Sequence, residues 1–413
     1  MSITVSLKKI ELFLAGLFFL FLPTQLAYFF WPDWSYFWGI KIDFLSPAIF
    51  WTDIVFIFLW LFWFLRIIFF SPKPSFKLTT NCLFWLPILI TGGLFLANIW
   101  LSAQPFLTGY RLLRWFQFSW LVVYFKKNFS SNLLKPLFFS LLLISFLAWG
   151  QFLGQRSCQG FFWWLGERFF NQSTLGIAKM SLFGRLFVRP MATFSHPNSL
   201  AGFVLLSVII FWFFKENLKK SLGAIFYLGL AIISTVLVIA FSGAVWLALI
   251  FGLWFFLIIR TKEIYWKIAL IFLSGLFALG IYYFGLVESW SVLERLLLIK
   301  NAWRLIIDRP LFGWGLGNFI PAQGQIFFSR GSFNFYQPVH NLFLLVTVEA
   351  GVLGLGIGLY WLTRLLTKIN NYWRAAVLLI IFLGLFDHYW LTLQQNFLLL
   401  ALVTAIALNS SKN

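Results

Sequence analysis

Charge is scarce in this chain. Only 10% of its residues are Asp, Glu, Lys or Arg, against 61% hydrophobic, so a water-soluble domain is excluded. No soluble core could hide that much apolar surface, including 56 Phe and 23 Trp, whereas lipid can face it. Cysteine is equally sparse. Cys82 lies in an apolar run and Cys158 in a loop, with no CxxC pair, so neither a disulfide framework nor a thiolate metal site is indicated. Histidine occurs only three times. Internal repeats and low-complexity linkers are missing, and no small-residue cleavage site follows the first apolar run, which reads as a retained helix.

What remains is long apolar runs. Twelve are long enough to span a bilayer, at about 10–30, 48–70, 82–101, 107–125, 136–154, 195–214, 221–240, 242–260, 268–286, 340–363, 375–391 and 394–409. The expected fold is an all-α polytopic integral membrane protein of about twelve transmembrane helices. A large extracytoplasmic loop lies between helices 9 and 10. As one domain, residues 1–154 hold the N-terminal helices, 155–194 an outer loop, 195–286 helices 6–9, 287–339 the large outer loop and 340–409 helices 10–12.

The formal charge of +19 reads as positive-inside loops, with anionic lipid or phosphate as further partners, and not as a nucleic-acid surface. With both termini cytoplasmic, each inner segment carries a small basic cluster: Lys8 and Lys9; Arg66, Lys73 and Lys77; Lys126, Lys127 and Lys135; Lys215, Lys219 and Lys220; Arg260, Lys262 and Lys267; Arg364, Lys368 and Arg374; and Lys412. Two outer loops break the rule, one with Arg156, Arg168, Lys179, Arg185 and Arg189, the other with Arg295, Lys300, Arg304, Arg309 and Arg330. Anion binding explains such loops, and so does solvated surface, because long loops obey the charge rule weakly. Arg111 and Arg114 read as anchors of the fourth span.

Within the large loop, Ser291 to Asp308 alternates apolar and basic residues as an amphipathic helix along the outer membrane surface, ended by Arg309-Pro310. Phe312 to Asn318 follows as a flexible turn; with no strand before it, its glycines are not a nucleotide-phosphate loop. Glu349 sits within span ten, about half a turn round from His340, and reads as packed against a polar partner.

Each histidine falls at the outer end of a span: His196 with Asn198, His340 with Asn341, and His388 after Asp387. Together with Asp387 they could in principle bind zinc, but none has metal-ligand spacing. An imidazole near neutrality accepts a proton, and arginine forks grip phosphate oxygens. A base beside an arginine clamp at the outer face suits transfer from a membrane-bound, phosphate-activated donor. Asp387 either pairs with an arginine or orients a histidine.

Three stretches resemble the O-antigen ligase family. They are Arg189-Pro-Met-Ala-Thr-Phe-Ser-His196-Pro-Asn198; Glu294-Arg295 through Trp303-Arg304 to Asp308-Arg309-Pro310-Leu-Phe-Gly313-Trp-Gly315-Leu-Gly317-Asn318; and His340-Asn341-Leu-Phe-Leu with Glu349-Ala-Gly351-Val-Leu-Gly354. The resemblance covers about residues 180–400. It implies a metal-independent, cofactor-free membrane glycosyltransferase of the bacterial plasma membrane, with its active site facing the periplasm or cell exterior. The donor would be an undecaprenyl-diphosphate-linked glycan, and the acceptor a glycan, lipid or protein. By the same resemblance His340 is the catalytic base and Arg295 binds diphosphate. Arg189, Arg185, Arg304, Arg309, His196, Asn198, Asn341, Asp387 and His388 are the further substrate-binding candidates. The sequence departs from the family at Phe241-Ser242-Gly243-Ala244, where Gly243 stands in place of an expected arginine: either Arg189 or Arg185 supplies the charge, or the donor is held differently, or the activity has been lost. A polysaccharide polymerase or a protein O-glycosyltransferase shares these motifs. A polysaccharide exporter or lipid flippase would instead distribute paired charges near the midplane of several spans.

Overall fold

A backbone that crosses lipid has to satisfy its own N–H and C=O groups, so the long apolar runs fold as helices. The computed structural model describes residues 2–37, 39–70, 82–182, 184–260, 275, 289–327 and 336–410. Apart from Gly275, the expected ninth span at 268–286 lies outside these residues, as do Lys73, Lys77, Lys262, Lys267, Arg330 and Lys412.

The helices are α1 (Ser2–Phe21), α2 (Trp51–Phe70), α3 (Cys82–Trp100), α4 (Pro105–Asn128), α5 (Leu134–Gly154), α6 (Pro197–Phe213), α7 (Lys215–Leu222), α8 (Ala224–Ile239) and α9 (Gly243–Arg260). They continue as α10 (Ser289–Asp308), α11 (Phe319–Phe327), α12 (Leu342–Lys368), α13 (Asn371–Gly384), α14 (Tyr389–Thr392) and α15 (Gln394–Ser410). Among the described residues, three helices are long and apolar enough to cross a membrane: Trp51–Phe69, Ser131–Gly154 and Leu342–Lys368. The pair α6 and α7 passes jointly but bends by 82° between them, and α8, α13, α15 and parts of α3 and α9 are apolar but shorter. This is a predominantly helical, multi-pass membrane architecture.

Three antiparallel ribbons depart from the all-α expectation, all in connections between helices. β1 (Ala27–Phe29) pairs with β4 (Ala48–Phe50), placing Ala27 opposite Phe50; β2 (Tyr36–Phe37) pairs with β3 (Ile40–Lys41); β5 (Lys179–Leu182) pairs with β6 (Arg185–Val188). Hydropathy does not register them, because extended connections pair their backbone groups locally without a long apolar run.

Most helices share one core, in which Phe125 of α4, Phe138 of α5, Phe203 of α6 and Trp373 of α13 are fully enclosed. A second core joins the segment between α1 and α2 to α4, α10, the turn after it and α12: Leu45, Leu107, Leu298, Ala302, Leu305, Trp314, Val339 and Leu345. The expected amphipathic helix is therefore present as α10, and its face with Leu298, Ala302 and Leu305 docks on protein while Leu293 and Leu296 stay exposed.

The turn expected to be flexible is instead built into a break of α12. At Gly351 φ is +70°, outside the helical range. The break frees the carbonyls of Val348 and Glu349, and the turn supplies their partners: Trp314 N–H donates to Val348 O at 2.9 Å and Gly315 N–H to Glu349 O at 2.9 Å. Asn98 of α3 locks the turn, donating to Glu349 O at 2.8 Å and to Phe312 O at 3.0 Å and accepting from Leu316 N–H at 2.9 Å. The Glu349 carboxylate faces the backbone N–H groups of Gly317 and Phe319, which are its polar partners. A Cβ at Gly351 would lie 2.0 Å from Leu311 O. Gly351→Ala therefore incurs roughly 1–3 kcal/mol of backbone strain besides the clash, and thermal melting of the detergent-purified variant is expected several degrees below wild type.

Candidate functional site

The candidate residues meet where helices stop. α13 ends at Gly384, short of the 391 expected for that span, and the chain turns through Leu385–His388 before α14. The buried Asp387 carboxylate holds that turn. Its Oδ1 accepts from His388 N–H at 2.8 Å, and its Oδ2 accepts from Asn198 Nδ2 at 3.2 Å. His340 Nδ1 approaches Oδ1 at 3.4 Å without forming a hydrogen bond. Catalytic pairs are often this loose before substrate arrives.

Each partner is fixed by a helix terminus. His196 caps α6, its Nδ1 accepting from Asn198 N–H at 3.2 Å. Asn198 Oδ1 takes a hydrogen bond from Arg189 Nη2 at 2.7 Å, and Arg189 Nε donates to Ala240 O at 3.0 Å. Asn341 caps α12 by accepting from Leu344 N–H at 2.9 Å, and its Nδ2 donates to Leu385 O at 3.1 Å, stitching the start of α12 to the turn. The rings of His340 and His388 lie 5.1 Å apart between centroids, and His388 Nδ1 is 2.7 Å from Thr392 Oγ1.

A cavity of about 250 Å³ opens here, with His196, His340, Asp387 and His388 on one side. It is also lined by the segment between α1 and α2 and by α4, through Phe44, Ser46, Tyr110 and Arg111. Burial, reinforced by Arg189, pushes the His196 pKa down to about 3; burial does the same to His388, against the pull of Asp387. Because Nδ1 of neutral His196 is an acceptor, its hydrogen sits on Nε2. For Asp387 burial alone would raise the pKa, but the approach of His340 and the neighbouring imidazoles outweigh it and hold the carboxyl well below its ordinary value.

The structure thus gathers His196, Asn198, His340, Asn341, Asp387 and His388, with Arg189 one hydrogen bond behind. Arg295 stands beside them on α10, its Nη1 3.4 Å from Phe386 O. The other arginines are elsewhere. Arg185 on β6 and Arg304 on α10 are exposed, and Arg309 donates to Leu101 O at 2.8 Å and stacks 4.0 Å over Trp314. His340, Asp387 and His388 are also a group that could close on a metal ion, their ligand atoms lying within 4.8 Å of one another.

Comparison with known families places one stretch. Residues 228–359 match the family model for O-antigen ligase. No curated protein matches the chain. The O-antigen ligase match runs from α8 through α10 and the glycine turn to His340 and the break of α12. Asp387, His388, Asn198 and the Phe44–Arg111 wall lie outside it, so the cavity is completed by elements on both sides of the matched stretch. Sequence reading missed that wall. Arg111 itself was visible, but only as an anchor, because its neighbours come from segments more than sixty residues away in either direction.

Two buried neutral histidines make folding sensitive to acid. The unfolded chain protonates them near pH 6.5, while the folded chain resists to about 3, so stability is full above pH 6.5 and falls between these values. The slope is at most about 1.4 kcal/mol per pH unit for each histidine. Melting at pH 7.5 and pH 5 should show the loss, and His196→Asn should flatten it.

Proposed function

We propose that the chain is a membrane glycosyltransferase of the O-antigen ligase type. It takes a glycan from an undecaprenyl-diphosphate-linked donor and passes it to an acceptor hydroxyl on the outer face of the bacterial plasma membrane. In this reading the chain crosses the bilayer twelve times, with both termini cytoplasmic and the cavity facing the periplasm or cell exterior. The observation that carries it is the His340–Asp387 pair at the wall of a cavity also lined by arginine.

His340 is the base. Asp387 faces Nδ1, which leaves Nε2 to accept the acceptor proton. The acceptor oxygen attacks the anomeric carbon as the bond from that carbon to the phosphate oxygen breaks, so one displacement inverts the centre. The lipid diphosphate departs with the electron pair, and Asp387 offsets the charge of the imidazolium. Arg295, next to the Asp387 turn, and Arg189 stabilise the departing phosphates. Among the described residues, a Cβ at Gly243 would meet nothing within 4 Å. Arg189, bonded to Ala240 O just before that position, supplies the charge in preference to exposed Arg185.

In this reading Asp387, which accepts two hydrogen bonds, orients His340 and binds no metal. His340→Ala in a chain that still inserts should lower glycan transfer by about 10²–10⁴-fold. Transfer at the wild-type rate would remove His340 from the chemistry. Chelation with EDTA should leave the rate unchanged; a loss restored by zinc would make His340, Asp387 and His388 a metal site instead.

A further inference from the structure

Two arginines one turn apart on α4 have opposite surroundings. Arg114 is neutralised: it pairs with Asp53 and donates to Ala48 O and to the Tyr110 hydroxyl. Asp53 is in turn satisfied by Phe50 N–H at 2.8 Å, Gln117 Nε2 at 2.9 Å and Gln394 Nε2 at 2.8 Å. That network is closed and asks for no ligand.

Arg111 has no such closure. Among the described residues it makes one hydrogen bond, from Nη2 to Phe44 O at 2.9 Å, and no ion pair. Its Nε is enclosed without a partner. The nearest acid felt by the guanidinium is Glu349, which the Gly317 and Phe319 amides already occupy. Gly317, at φ +79°, packs directly on the arginine stem; a Cβ there would lie 2.9 Å from Arg111 Cγ and 3.0 Å from Nε. The glycine turn of the O-antigen ligase stretch thus holds this guanidinium at the wall of the cavity that His196, His340 and His388 also line. Among the described residues no carboxylate lies in ion-pair contact with this half-buried guanidinium, so its permanent charge favours an anionic ligand in the cavity.

We propose that Arg111 is a binding residue for the diphosphate of the lipid-linked donor, restoring from the N-terminal half the charge that Gly243 does not provide. The assignment rests on the glycosyltransferase reading above. Arginine at this point offers the free N–H groups of its terminal nitrogens to phosphoryl oxygens, and so brings the leaving group into the cavity that His340 also lines.

The test is direct binding to the full chain in nanodiscs, with undecaprenyl diphosphate, undecaprenyl monophosphate and uncharged undecaprenol as probes. Wild type should prefer the diphosphate. Arg111→Met, which keeps the packed stem, should bind the diphosphate at least tenfold more weakly and undecaprenol as wild type does. Arg111→Lys should fall between. If folded Arg111→Met kept wild-type diphosphate affinity, or lost affinity for all three probes equally, Arg111 would be only a support for Phe44 and the assignment would fail while the general reading stood. If wild type itself showed no preference for the diphosphate, both would fall.

Discussion

The site depends on a carboxylate withdrawn from water. Asp387 is buried at 4% exposure, and an ionised group so placed has to be surrounded by donors. The chain meets this by bringing three helix termini together: the turn after α13, the first turn of α6 through Asn198, and the residue before α12 through His340. Asn198 bonds Asp387 from the first turn of α6, His388 N–H from the turn after α13, and His340 lies 3.4 Å away beside the Asn341 cap of α12, so moving any one of these termini disturbs the surroundings of Asp387. A His340–Asp387 pair held between helix ends is the consequence.

The second constraint is the break in α12. A helix interrupted in its interior leaves carbonyls without partners, and here the turn after α10 and Asn98 provide them. The same insertion carries Gly317 against Arg111 and docks α10 beside the Asp387 turn. The turn after α10, the segment between α1 and α2 and the bundle therefore form one continuous support for the cavity, through the second core around Leu298, Trp314 and Leu345.

Much of this was legible in the sequence, and the limits have physical causes. Periodicity shows the helix ending at Asp308, because its apolar spacing is local. The three histidines at helix ends mark the cavity, because polar residues are rare in so apolar a chain. The break at Gly351 and the stop at Gly384 do not show in hydropathy, since the flanking residues are as apolar as those of an unbroken span. Arg114 read as an anchor and is one, satisfied by Asp53. Arg111 has the same spacing and chemistry but a different environment, set by Phe44 and Gly317 from distant segments. Arg185, Arg304 and Arg309 carried the same charge signal as Arg189 and Arg295, and only folding separates them.

The central claim is that the cavity makes a glycosidic bond. The most direct measurement incubates the purified, reconstituted protein with a lipid-diphosphate glycan and candidate acceptors, and reads the products by mass. The account predicts an acceptor heavier by the intact glycan, together with free lipid diphosphate. A glycan carried from one side of the bilayer to the other, still attached to its lipid and with no new bond, would contradict it.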